Sequence, residues 1–157
     1  MIQHTIERFA YLCRAVPTLL YDIPATDFDS KPAEEKWSKK EILGHLIDSA
    51  TNNHHRFIRA QFENVPQITY DQNSWNKFNY YQQIDVSQLI QFWTFYNLQL
   101  LKLFTLMPLS SLKKECNTGG SENVTIEWLI IDYVSHLEHH LAQILGTGIE
   151  KNAGKKL

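Results

Sequence analysis

Apolar side chains recur at helical spacing in four stretches of the chain, and signals for strands are weak throughout. Ile2, Ile6, Phe9, Leu12, Cys13, Val16 and Leu20 predict a first helix over residues 2–23, with Pro17 expected to kink or interrupt its last turn. Residues 24–37 carry two prolines, several acids and no period, and Ser38 followed by Glu41 has the spacing of a capping box. A second helix is therefore expected from Lys39 to about Glu63. Residues 65–84, VPQITYDQNSWNKFNYYQQI, are polar and aromatic without a clear period and read as a long connection, which would let the second and third helices lie parallel.

Asp85 or Ser87 can cap a third helix, whose apolar positions Leu89, Ile90, Trp93, Tyr96, Leu100, Leu103, Phe104 and Met107 keep their spacing until Pro108 stops it. The run SSLKK is compatible with one more short turn, and CNTGGSENV reads as a glycine-bearing loop. Thr125 then caps a fourth helix that ends near Leu145, with Gly146 in the position that closes helices in a left-handed conformation. Four amphipathic helices with a loose second connection predict an all-α four-helix bundle. A chain of 157 residues with 43% hydrophobic content fills one such domain, over 1–157, and is short for two.

Charge and cysteine content narrow the partners. Fifteen basic residues against seventeen acidic ones, scattered along the chain, argue against nucleic acid. No stretch of about eighteen apolar residues exists, and MIQHTIERFAYLCRAV does not read as an export signal, so no membrane partner is expected. Cys13 and Cys116 stand far apart without a CxxC partner, which disfavours a disulfide framework or a zinc knuckle; a cytoplasmic protein is the expectation.

Two polar stripes interrupt this apolar pattern. His136 and His140 are four residues apart and stack on one face of the fourth helix, where both rings can reach one point. At about 100° per residue, Asp132, His136, His140 and Gln143 fall within roughly 40° of a common line, while His139 points about 60° away from His140. On the second helix His45, Ser49, Asn52 and Arg56 form a similar row, bordered by Asp48. Either stripe could be a solvated face, and helical histidine pairs most often are. Alternatively, His45 brought beside the pair would give three imidazoles and an open position, the arrangement of catalytic zinc, and one that also suits nickel or iron. His54, His55 and His4 read as solvated, and the aromatics Trp93, Phe95, Tyr96 and Phe104 as core. Cys13 reads as a core residue and Cys116 as a loop thiol rather than a nucleophile. No HExxH pattern is present.

The segments GHLIDSATNNHHRF, YDQNSW and HLEHHLAQ, in this order and at these separations, resemble the DinB/YfiT-like superfamily, and more closely its YfiT-type branch of metal-dependent hydrolases. The resemblance runs from about Trp37 to Leu145. It implies a four-helix bundle in which His45, His136 and His140 bind a divalent ion, nickel or zinc. Asp48, Asn52 and Arg56 match the polar residues that follow the first ligand in such sequences, and Gln143 matches a further polar position. They are the expected catalytic or positioning residues.

Related proteins include transferases of low-molecular-weight thiols such as bacillithiol, so the resemblance implies S-transfer to an electrophilic small molecule. Hydrolysis by water activated at the ion, with Asp48 or alternatively Asp132 as general base, or metal binding without turnover, are the alternatives. In the transfer reaction Asp48 would orient a ligand imidazole or accept a proton, Asn52 and Arg56 would orient negative charge, and Gln143 would position a group. A homodimer is expected from the resemblance and from the aromatic-rich connection. The first and third helices are expected to line the pocket.

Overall fold

A computed structural model of the chain describes residues 1–146, so the expected domain of 1–157 extends beyond the described residues. Four long helices carry the fold: α1 (Ile2–Tyr21), α3 (Lys39–Phe62), α5 (Val86–Leu106) and α6 (Ile126–Leu145). Helix α1 continues through Pro17 instead of breaking there. The proline lacks an N–H for the helix ladder, yet its neighbours Val16 and Leu20 are fully buried and hold that turn against the core.

The predicted caps form. Ser38 accepts from the Glu41 backbone N–H at 3.1 Å while Glu41 accepts from the Ser38 N–H at 2.8 Å, closing the capping box of α3. Asp85, rather than Ser87, caps α5 through the Gln88 N–H, and Thr125 caps α6 through the Trp128 N–H. Gly146 ends α6 with φ of 73°, a conformation that costs glycine little.

The connections hold more structure than their sequence suggests. Within 24–37 lies a five-residue helix, α2 (Ala25–Asp29), anchored by fully buried Phe28. The 65–84 connection contains α4 (Gln72–Phe78), capped by Asp71, and a 3-10 turn, Tyr81–Gln83. A helix this short buries too few residues to impose a readable period. The SSLKK turn is present as a 3-10 segment, Ser111–Lys113. Two two-residue strands, β1 (Glu115–Cys116) and β2 (Val124–Thr125), pair antiparallel and bracket the glycine loop.

In the bundle α3 packs on α5 and α6, and α1 packs on the same two helices. Helices α1 and α3 therefore stand on one diagonal and α5 and α6 on the other, so the first and last connections cross the bundle while only α3 and α5 are sequence neighbours side by side. His54 meets Tyr96 and Phe57 meets Phe104, contacts that advance together along α3 and α5, the parallel sense a long connection permits. At the centre each long helix contributes one aromatic ring: Phe9, Phe57, Phe104 and Tyr133, with Phe57 and Phe104 at 4.9 Å in an edge-to-face pair. Trp93 is buried as expected, but Phe95 is 69% exposed because it sits on the outer face of α5. His54 is likewise less free than expected, its Nδ1 lying 3.2 Å from the Tyr96 hydroxyl. Among the described residues no helix is long and apolar enough to cross a membrane.

Candidate metal centre

The antiparallel contact of α3 with α6 brings the two polar stripes together. His45, His136 and His140 offer ring nitrogens that all lie within 4.8 Å of one another, and the Nε2 atoms of His45 and His136 are 3.1 Å apart. Two nitrogens at about 2.0–2.1 Å from a zinc-sized ion, subtending roughly 90–110°, stand about 2.8–3.4 Å apart, the spacing that the His45–His136 pair has. With His140 within 4.8 Å, the three form a group that could hold one ion once the rings draw in. The rings cross at steep angles, 70° between His45 and His136 and 71° between His136 and His140, and aim their edges at a shared space.

Burial prepares the donors. Loss of water around His45, followed by the like charges of His136 and His140, lowers its pKa to about 3; the same cause, with His140 and His139 as neighbours, lowers His136 to about 4. His140 is lowered by desolvation too, against the hydrogen bond to Gln143. All three are therefore neutral at pH 7 and present a lone pair. The Nδ1–H of His140 donates to Gln143 Oε1 at 2.8 Å, which leaves Nε2 as its free donor nitrogen, and Gln143 Nε2 in turn donates to His139. Removing such an outer contact typically costs about 10–100-fold in metal affinity. Gln143→Ala should show a loss of that size in a zinc titration against a competing chelator, and unchanged affinity would remove Gln143 from this role.

The metal-free chain should respond to acid in a defined direction. Between the folded values of His45 and His136, about 3 and about 4, and their ordinary 6.5, the unfolded chain binds protons that the folded chain does not, so these groups lower stability as pH falls from 6.5. Asp48 acts oppositely. Burial raises its pKa to about 6, so the folded chain binds the extra proton from 3.8 up to that value, and its penalty fades on acidification. The histidines outnumber it. Urea midpoints should fall from pH 6.5 to pH 4.5 and fall less in His45→Gln/His136→Gln; a midpoint that rises on acidification would contradict the assignment.

Asp48, Asn52 and Arg56 spend their side-chain hydrogen bonds on groups other than the three histidines. Asp48 is 1% exposed, and its Oδ1 accepts from the Tyr81 hydroxyl at 2.6 Å and from Asn79 at 2.9 Å, while Oδ2 is buried with no hydrogen-bond partner among the described residues. Asn52 donates to the Asp48 carbonyl of its own helix. Arg56 donates through Nε and Nη2 to the Ile68 carbonyl and through Nη1 to Asn53. A common angular direction had grouped these positions, but Arg56 is eleven residues beyond His45, about 16 Å along the helix axis. Asp132 is exposed and lies in the electrostatic reach of Arg56.

A cavity of about 560 Å³ opens beside His140 and Gln143, walled by Trp37, Lys36, Asn73 and Ile42. Helices α1 and α5 contribute nothing to this wall, contrary to expectation, because their apolar faces are spent on the core; the 32–37 connection and α4 take their place. Trp37 also covers His45, with ring centroids 5.0 Å apart. Cys116 is fully buried, donates its thiol to the Pro66 carbonyl and has its pKa raised by desolvation, as befits a thiol with no nucleophilic role.

The DinB superfamily profile matches residues 8–144. The chain belongs to the DinB superfamily. Within it, the chain is 28% identical over 150 residues to "Putative metal-dependent hydrolase BH0277" of Halalkalibacterium halodurans, covering 91% of this chain and 84% of that one. The solved structure of YfiT from Bacillus subtilis, described as "a probable metal-dependent hydrolase with an unusual four-helix bundle topology", superposes with a TM-score of 0.78 at 22% identity, over 90% of this chain and 84% of that chain. That likeness establishes the DinB/YfiT-like bundle fold. The three histidines that could hold a metal in this DinB-superfamily chain occupy α3 and α6, the pair of helices whose contact closes the bundle.

Proposed function

We propose that the chain is a metal-dependent enzyme that holds one divalent ion, zinc or nickel, through His45, His136 and His140 and transfers a low-molecular-weight thiol to an electrophilic small molecule. The observation that carries this reading is the convergence of three neutral imidazoles, one of which, His140, lines an open cavity. A bound ion would supply Lewis-acid stabilisation of an anionic sulfur or oxygen near neutral pH. The chain's own residues do the rest. Gln143 fixes the His140 tautomer, Trp37 shields the His45 face from water, and the cavity beside His140 admits the two reactants. In the transfer, the thiol sulfur forms a bond to the electrophilic carbon as the bond to the leaving group breaks, and the thiol proton departs with that group or to solvent.

Thiol transfer is favoured because hydrolysis needs a general base beside the attacking water, and neither Asp48 nor Asp132 lines this cavity, Asp48 being engaged by Tyr81 and Asn79. Hydrolysis is the second reading, supported by Glu35 in the cavity wall and by what the relatives are called. Incubating zinc- or nickel-loaded protein with bacillithiol, glutathione or cysteine and a model alkylating agent separates the two. Metal-dependent conjugate formation above the free-thiol rate is expected; ester or amide cleavage without conjugate would favour hydrolysis.

The proposal extends to a cytoplasmic homodimer. Its support is the pair of free cysteines and the exposed aromatics of the second connection, Phe78 at 63% and Tyr80 at 59%. Light scattering at micromolar concentration should return a dimer mass, and a monomer mass would remove it.

A further inference from the structure

The cavity beside His140 adjoins a second one of about 340 Å³, and Glu35, Lys36, Trp37 and Asn73 line both. The second cavity has a fixed floor. Asn76, 4% exposed, donates to the Glu41 carbonyl at 2.7 Å, and Tyr81 is tied to Asp48. Its walls carry Lys31, Lys36 and Lys77 against Glu35 and Glu41.

These charges are not equally available. Lys31 pairs with Glu41 Oε1 at 2.9 Å, and the other Glu41 oxygen accepts the Ser38 N–H. Nearby Lys40 is taken by Asp29 and the Gln82 carbonyl. Among the described residues Lys36 and Lys77 have no carboxylate within ion-pair distance; Lys77 lies over the Phe78 ring at 5.5 Å. Glu35 is the remaining carboxylate in the wall. Two uncommitted ammonium groups against one carboxylate leave an excess of one positive charge, which matches a single carboxylate better than a phosphate dianion.

We propose that the second cavity is the subsite for a carboxylate at the far end of a small-molecule substrate whose reacting end lies against His140. This rests on the metal-dependent reading above and assigns Lys36 and Lys77 to substrate recognition. Glu35, facing the same space, opposes the anion and limits its affinity.

Calorimetric titration of the zinc-loaded chain with a graded series of ω-mercaptoalkanoates, and with ω-mercaptoalkanols of matched length, tests it. The thiol end is a soft ligand suited to zinc, and the other end differs only in charge. At the length that spans the two cavities the carboxylate should bind about tenfold more tightly than the alcohol. Lys36→Ala/Lys77→Ala should erase that advantage without changing zinc content, and Glu35→Gln should enlarge it. A carboxylate no better than the alcohol at any length, or an advantage that survives the double lysine variant, would overturn the subsite and leave the metal reading intact. A chain that takes up no zinc, or whose zinc form binds neither thiol, would overturn the metal-dependent thiol reading itself.

Discussion

Gly44→Ala is expected to destabilise the protein by about 1–5 kcal/mol, although alanine is the better helix former by about 1 kcal/mol. A Cβ at position 44 would run into Cδ2 and Cγ of Tyr81, whose side chain is only 5% exposed. Overpacking of this kind costs about 1–3 kcal/mol. Displacing the ring also pulls its hydroxyl from Asp48, 2.6 Å away, and a buried acceptor left short of partners costs about 1–3 kcal/mol more. Urea denaturation of Gly44→Ala, Tyr81→Ala and the double variant checks the mechanism: once Tyr81 is truncated, the added methyl at position 44 should cost little or nothing. A Gly44→Ala protein more stable than wild type would show that the ring yields freely.

Removing a ligand should act on metal binding rather than on the fold. Zinc at about a hundred times its dissociation constant stabilises a folded chain by about 2.7 kcal/mol, and at that concentration His140→Ala and His45→Ala should show no such gain. The loss of affinity should exceed the roughly 10–100-fold expected when only the Gln143 contact is removed. The two variants differ without metal. His140 is partly exposed, so its truncation should leave the metal-free melting temperature nearly unchanged, whereas His45 is 1% exposed beneath Trp37 and its removal opens a void. Thermal melts with and without zinc distinguish these effects. Zinc stabilisation equal to wild type in both variants would contradict the ligand assignment.

Much of the site could be read from the chain because its chemistry coincides with helix periodicity. His136 and His140 are one turn apart, His45 stands on another polar stripe, and both stripes fall on long helices with clear caps. What periodicity could not supply was depth along the helix. Asn52 and Arg56 share a direction with His45, but the rise of the helix carries Arg56 to the Ile68 carbonyl, away from the histidines. The cavity wall was also hidden, since Trp37, Lys36 and Asn73 belong to connections with no period to read. One local signal was present in Gly44, a glycine inside a strong helical pattern, which marks a close approach that here is the Tyr81 ring. The diagonal order of the helices had no sequence signature, because it depends on which apolar faces meet and each of the four long helices has one.

The central claim is that three histidines hold one ion. Elemental analysis by plasma mass spectrometry of wild type and His136→Ala, each purified without chelator or nickel resin, tests it most directly. The account predicts about one divalent metal per wild-type chain and loss of that metal in the variant, with the helical circular dichroism unchanged. A wild-type chain that carries no metal and takes up neither zinc nor nickel, or a variant that keeps a full equivalent, would contradict it.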